Sequence, residues 1–295
     1  MSKARNIVIE GGFDFHCHST CSDGRYTVRE LCDKAIELHF SKLSITDHNS
    51  VSADIEEISE EYKQYGLDLV IGSELTATYN SVKTSEEIHV VALGFKPHML
   101  AHIFDKNTKN RRAYIEAILE RLHRENVADI QYDELANNFK SHYLGKMHIA
   151  QMLTKLNVTS SVYEALDLYV GNLGKRRCWV PSSDYIEIPT LEEVVSSIIS
   201  AGGIPVLAHP FYYKSFSNDE LEKLVEYFKI LAEDKAGIEV YYKDYNEKQT
   251  ACLEFLANKY KINASGGSDF HGWSDTERLV QFKPELATRL LHMEG

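Results

Sequence analysis

The sequence predicts an α/β fold, a closed or nearly closed barrel of β/α units, and three observations carry that reading. Short apolar runs suited to strands alternate with amphipathic helical patterns, as expected when helices connect parallel strands. Histidines and carboxylates recur where those runs give out, and a barrel gathers strand-end residues at one mouth. One stretch, residues 101–183, drops the alternation for helical periodicity alone and reads as an inserted cap. With 295 residues, 43% hydrophobic and 26% charged, the chain can build one large core or two smaller ones.

The first strand pattern, Phe13-Asp14-Phe15, runs into His16-Cys17-His18. Side chains alternate along a strand, so His16 and His18 share a face and Cys17 takes the other. Asp23 follows in a Ser-Asp-Gly turn that can return a carboxylate over the same strand end. Thr27 and Glu30 then form a capping-box pattern ahead of Leu31, Ala35 and Leu38. Lys42-Leu43-Ser44-Ile45-Thr46 reads as a strand ending in Asp47-His48-Asn49, and Asp68-Leu69-Val70-Ile71 as one ending at Gly72-Ser73-Glu74. His89 opens the apolar stretch Val90-Val91-Ala92-Leu93. In the insertion, helices are expected over 106–124, 146–156 and 161–169. Thr190 and Glu193 repeat the capping-box pattern ahead of Val194, Ile198 and Ile199. Ile204-Pro205-Val206-Leu207-Ala208 ends in His209-Pro210, and Ile262-Asn263-Ala264 leads through a Ser/Gly turn to Asp269-Phe270-His271.

Six histidines and three carboxylates thus fall at or near strand ends. Nitrogen and oxygen donors without committed cysteine favour manganese, iron, zinc or magnesium over soft-metal or iron–sulfur chemistry. Asp14 and Asp47 sit beside ligand positions and are expected to orient imidazoles. The cysteines at 17, 21, 32, 178 and 252 form neither a disulfide framework nor a zinc-ribbon spacing and are expected to remain thiols. No stretch approaches a membrane span, and Asn6-Ile7-Val8-Ile9 is too short for a signal peptide, so a cytoplasmic protein is expected. The net charge of −12 conceals an asymmetry: residues 101–185 hold 12 Lys and Arg against 10 Asp and Glu, the remainder 20 against 34.

On these motifs the sequence resembles the PHP (polymerase and histidinol phosphatase) family of metal-dependent phosphoesterases from about residue 12 to 271. The resemblance implies a distorted seven-stranded, TIM-like (β/α)7 barrel over 1–100 and 184–295, with 101–183 as a helical, substrate-binding cap. It implies two or three divalent ions, manganese foremost. His16, His18, Glu74 and Asp269 would hold the first; Glu74, His89 and His209 the second; and Asp23, His48 and His271 the third. Asp23, His48, Glu74 and His271 would be the residues closest to the chemistry, and Asp23, Glu74 and Asp269 leave such a site locally cationic.

The phrases Ser-Asp-Gly, Thr-Asp-His, Ala-His-Pro and Gly-Ser-Asp-Phe-His look like the stand-alone phosphatases acting on nucleoside 3′,5′-bisphosphates, some of which trim short RNA from the 5′ end. The resemblance therefore implies metal-assisted hydrolysis of a nucleotide phosphate monoester to the 5′-monophosphate. Its alternatives are a 5′-3′ exoribonuclease on short 5′-phosphorylated RNA and a histidinol-phosphate-type phosphatase. A regulatory module without catalysis is more remote, since it should have lost ligands. Expected substrate contacts are Arg111, Arg112, Lys146, His148 and Lys175; position 146 holds Lys where relatives carry Arg, which removes a bidentate grip. Neither duplex DNA nor a membrane is an expected partner, and oligomeric state is left open.

Overall fold

The computed structural model describes residues 11–80, 85–139, 143–171, 177–213 and 216–283. Seven strands form one sheet in chain order: β1 (Phe13–Cys17), β2 (Lys42–Ile45), β3 (Asp68–Asn80), β4 (Ser85–Leu93), β5 (Ile204–Leu207), β6 (Gly237–Tyr242) and β7 (Asn263–Gly267). The sheet curls until its edges meet. His18 N–H donates to the Phe270 carbonyl at 2.9 Å and Asp269 N–H to the His16 carbonyl at 2.7 Å, nearly closing a distorted TIM-like barrel.

The sheet is built on parallel strands as expected except at β4, which runs antiparallel to both β3 and β5. The link from Asn80 to Ser85 is far shorter than the dozen or so residues a parallel crossover needs, so the chain doubles back. Glu74 and His89 consequently lie inside long strands rather than at their ends. β2 stops at Ile45, level with Ile71, and beyond that point β3 and β4 continue as a hairpin that walls one side of the mouth.

Outside the barrel pack α1 (Val28–Glu37), α2 (Ile55–Lys63), α8 (Leu191–Ser200), α9 (Asn218–Ala232) and α10 (Glu247–Tyr260). The Thr27–Glu30 capping box forms in full. Thr190 accepts the Glu193 N–H at 3.3 Å, but the Glu193 carboxylate turns away to Lys106 Nζ at 2.7 Å. Leu75, Val90, Leu207 and Ile238 face the helices, where they meet Val194, Ile198, Leu224 and Phe228. Phe13, Phe15, Val91, Leu93, Val206 and Phe282 form a separate plug inside the barrel. Burying each large side chain stabilises by about 1.5–3 kcal/mol, and the plug gives the polar mouth a firm floor.

In the insertion, α3 (Ala101–Thr108), α4 (Arg111–Arg124), α5 (Tyr132–Phe139), α6 (Lys146–Lys155) and α7 (Val162–Ala165) are observed. The single helix expected over 106–124 is broken because Asn110 adopts φ +61°, a left-handed conformation that asparagine tolerates and a helix does not. Ile103 of α3 joins the barrel core, whereas Tyr114, Ile118, Leu135, Ile149, Leu153 and Ile186 build a second core of their own. Among the described residues no helix is long and apolar enough to cross a membrane.

Candidate metal centre

β1 carries a register irregularity between Asp14 and Cys17. His16 and His18 reach the same side, ring centroids 5.3 Å apart, while Cys17 Sγ turns toward the Ser44 carbonyl at 3.4 Å. The neighbouring aspartates do not orient imidazoles as the sequence reading expected. Asp47 accepts four hydrogen bonds, from the backbone N–H and hydroxyl of Ser19 (2.8 and 2.6 Å) and of Ser22 (3.1 and 2.6 Å). Asp14 accepts backbone N–H groups of His16, Ser268 and Val280, and burial pushes its carboxyl up to about 6. Both carboxylates are taken up largely by backbone and hydroxyl donors, which ties them to the turns that present Asp23 and Asp269.

Glu74, only 1% exposed, is the hub. Its Oε1 lies 2.7 Å from His89 Nδ1 and 2.8 Å from His209 Nε2. Its Oε2 lies 3.3 Å from Nε2 of both His16 and His18, and 3.0 Å from His48 Nδ1. Asp269 Oδ1 approaches His18 Nε2 at 3.0 Å and His16 Nε2 at 3.6 Å. On the outer side Asp23 faces His271 at 3.4 Å, His48 at 3.8 Å and His18 at 3.9 Å. Ligand atoms therefore converge in three overlapping groups: His16, His18, Glu74 and Asp269; His48, Glu74 and His89; and His18, Asp23, His48 and His271.

These residues fit divalent cations. His16 Nε2, His18 Nδ1, Asp23 Oδ1 and Glu74 Oε2 are buried yet make no aligned hydrogen bond, although imidazole and carboxylate atoms crowd around them. Their charges point the same way. Burial would raise the Glu74 carboxyl, but His89, His48 and His16 hold it well below the usual range. Burial also opposes ionisation of Asp269, which His271 and His16 overcome. Against a lowering by burial, Asp23 and Asp269 raise His271 to about 10, while burial and the charges of His271 and His48 press His18 down to about 3. Three ionised carboxylates thus demand positive charge in one small volume. Divalent ions meet that demand while leaving the imidazoles neutral, the form that ligates.

Sequence reasoning missed Glu239, which is 1% exposed. Its Oε1 lies 2.6 Å from His16 Nδ1 and its Oε2 accepts the His209 N–H at 2.6 Å, fixing one imidazole's orientation and another's backbone. The available signal was a lone carboxylate in the apolar run Ile238-Glu239-Val240-Tyr241-Tyr242. Gly267 admits this pairing, because a Cβ there would sit 2.3 Å from His16 Cβ and 2.7 Å from Glu239 Oε1. Tyr242 was also missed; its hydroxyl donates to Asp269 Oδ2 at 2.8 Å.

A cleft of about 380 Å³ leads from Asp23, His48, His89 and His271 to Arg111 and Lys146. Arg111 stacks 3.7 Å over Tyr143 and donates to its hydroxyl at 2.6 Å and to the Leu144 carbonyl at 3.2 Å, which holds its guanidinium against the cleft wall. Burial lowers the Lys146 ammonium to about 8. The other expected contacts fall elsewhere. Arg112 points outward, pairing with Glu116 at 2.8 Å and Asp133 at 3.4 Å and stacking on Tyr132; successive helical residues diverge by about 100°, so Arg111 and Arg112 cannot both face the cleft. His148 is buried and accepts the Gly145 N–H at 3.1 Å, closing the start of α6 rather than lining the cleft. Lys175 lies outside the described residues.

The family model of the PHP domain matches residues 14–180. The chain is similar to the 5′-3′ exoribonuclease Rnm of Escherichia coli, 29% identical over 275 residues covering 92% of this chain and 88% of that one. It is similar to the 3′,5′-nucleoside bisphosphate phosphatase of Chromobacterium violaceum, 26% identical over 281 residues covering 92% of each. In structure it is similar to a Bifidobacterium adolescentis protein assigned as a metal-dependent phosphoesterase, with a TM-score of 0.79 and 25% identity over 95% of this chain and 96% of that one.

Proposed function

The chain belongs to the PHP domain family and is a metal-dependent phosphoesterase, and on that premise we propose that it hydrolyses a nucleoside 3′,5′-bisphosphate to the 5′-monophosphate. The observation carrying this reading is the continuity of the cleft: one end opens on Asp23, His48, His89 and His271 of the His/Asp/Glu cluster, the other presents Arg111 and Lys146. A substrate with two phosphates can engage both ends at once. The helical insertion over 101–183 serves as the substrate-binding cap on a barrel of 1–100 and 184–295.

His16, His18, Glu74 and Asp269 would hold one ion, Glu74, His89 and His209 a second, and Asp23, His48 and His271 a third, with manganese the first choice for all. Bound there, divalent ions lower the pKa of water and neutralise charge on the phosphoryl oxygens. The chain's own groups position and select. Glu239 sets the His16 tautomer by accepting a hydrogen bond from its Nδ1–H, which keeps the proton there and leaves Nε2 bare to face Glu74 and Asp269. Arg111, held by Tyr143, offers a pre-oriented guanidinium to the phosphate that is not cleaved, and Lys146 adds a point charge. Tyr143, Tyr114 and Ile188 line the space between for the nucleoside.

A second reading, removal of nucleotides from the 5′ end of short 5′-phosphorylated RNA, is favoured by the name of the Escherichia coli relative. Products of adenosine 3′,5′-bisphosphate, short 5′-phosphorylated RNA and histidinol phosphate, each with manganese, magnesium, iron or zinc, distinguish the readings. The bisphosphate reading expects phosphate release from the first substrate at the highest kcat/KM. Mononucleotide release from RNA at a higher kcat/KM supports the second reading, and a preference for histidinol phosphate refutes both.

A further inference from the structure

Beyond the ligands themselves, we infer that Glu277 is a positioning residue that sets the affinity of the ion at Asp23, His48 and His271 and ties that ion to the cap. The inference rests on the ligand assignment above and concerns a carboxylate that touches none of the ligand atoms. The segment 269–273 turns sharply: Asp269 has φ +49°, a left-handed conformation costly for a residue with a side chain, and Gly272 takes φ +79° where an added Cβ would lie 2.6 Å from the Tyr26 ring. Such a turn persists only when surrounding contacts over-determine it.

Glu277 supplies those contacts. Its carboxylate, 5% exposed, accepts the backbone N–H of His271 at 2.8 Å through Oε1 and that of Trp273 at 3.0 Å through Oε2. Lys243 Nζ lies 3.4 Å from Oε1 and donates to the Asp269 carbonyl at 3.0 Å, so the same group braces both ligand residues of the turn. Trp273, clamped in this way, donates from its indole to the Asp23 carbonyl at 2.7 Å and packs against the cap core. The cap also reaches the carboxylate directly: Tyr163 of α7 donates its hydroxyl to Oε2 at 3.1 Å. Glu277 therefore joins Asp23, Asp269, His271 and the cap through one buried acceptor.

Manganese binding by isothermal titration to metal-stripped wild type, Glu277→Gln and Tyr163→Phe tests this without reference to turnover. Glutamine keeps the size, but its amide end cannot accept a backbone N–H. Outer groups that orient ligands typically govern about ten- to a hundredfold in metal affinity, so one binding step should lose that much in Glu277→Gln while the others lose less. Tyr163→Phe, losing one neutral hydrogen bond, should weaken the same ion by about two- to tenfold. Unchanged affinities in Glu277→Gln, or a uniform loss at every ion, overturn the positioning role. A silent Tyr163→Phe overturns the tie to the cap. If Glu277→Gln does not fold, Trp273→Phe, which removes the indole donor to Asp23 together with part of the ring packed on the cap, must weaken the same ion. Wild type binding no ions at all would instead defeat the ligand assignment.

Discussion

Replacing Arg111 with alanine should separate recognition of the second phosphate from the chemistry. The guanidinium stacks 3.7 Å over Tyr143 and stands in the cleft that opens onto the metal cluster. A charge-assisted hydrogen bond to phosphate contributes roughly 1.5–3 kcal/mol, so kcat/KM for adenosine 3′,5′-bisphosphate should fall by about ten- to a hundredfold. The loss should appear in KM if the contact is equal in ground and transition states. An aryl phosphate without a second anionic group should change by less than about twofold under the same conditions, since it never makes the contact. Arg112→Ala is the internal control. Its partners Glu116 and Asp133 are exposed surface acids, and such solvent-screened pairs contribute little to stability and nothing to the cleft. Steady-state kinetics on both substrates, with thermal unfolding alongside, decide the matter. Equal losses on the two substrates, or a larger effect at Arg112 than at Arg111, would refute the reasoning.

Glu239→Gln should weaken the ion at His16 by about ten- to a hundredfold while leaving the fold intact, because glutamine keeps the volume but has one uncharged acceptor where Glu239 uses two, for the His16 Nδ1–H and the His209 N–H; metal titration reads this directly. KM for the bisphosphate should rise as pH passes through about 8, where Lys146, lowered by burial with Glu87 opposing and Arg111 adding, loses its charge. Lys146→Arg should remove that inflection, and its persistence would reassign it. The same shift has a stability signature: the folded protein holds fewer protons than the unfolded chain between about 8 and the ordinary lysine value, so this group's contribution to stability grows as pH rises through that window.

The clustered candidate ligands were legible in the sequence because their signal is local. His16 and His18 follow from strand alternation, and Asp47-His48, Ala208-His209 and Asp269-Phe270-His271 from polar residues placed where apolar runs stop. What was less legible depends on contacts distant in sequence. Glu239 meets His16 across more than two hundred residues, and only the packed barrel brings them together. The reversal at β4 was readable in the short link after Asn80, but the prevailing β/α rhythm outweighed it. Asn110 broke a helix whose periodicity continued on both sides, and that break decided which arginine faces the cleft. His148, matched by motif, is seen in a local contact that the motif did not reveal, accepting the Gly145 N–H at the start of α6.

The most direct test of the account is a crystal structure of manganese-loaded protein with anomalous scattering recorded at the metal edge. The account predicts two or three peaks within ligand distance of the nine clustered residues, one of them bridged to another by Glu74. Peaks elsewhere, or a loaded protein in which Glu74 ligates no ion, would contradict it.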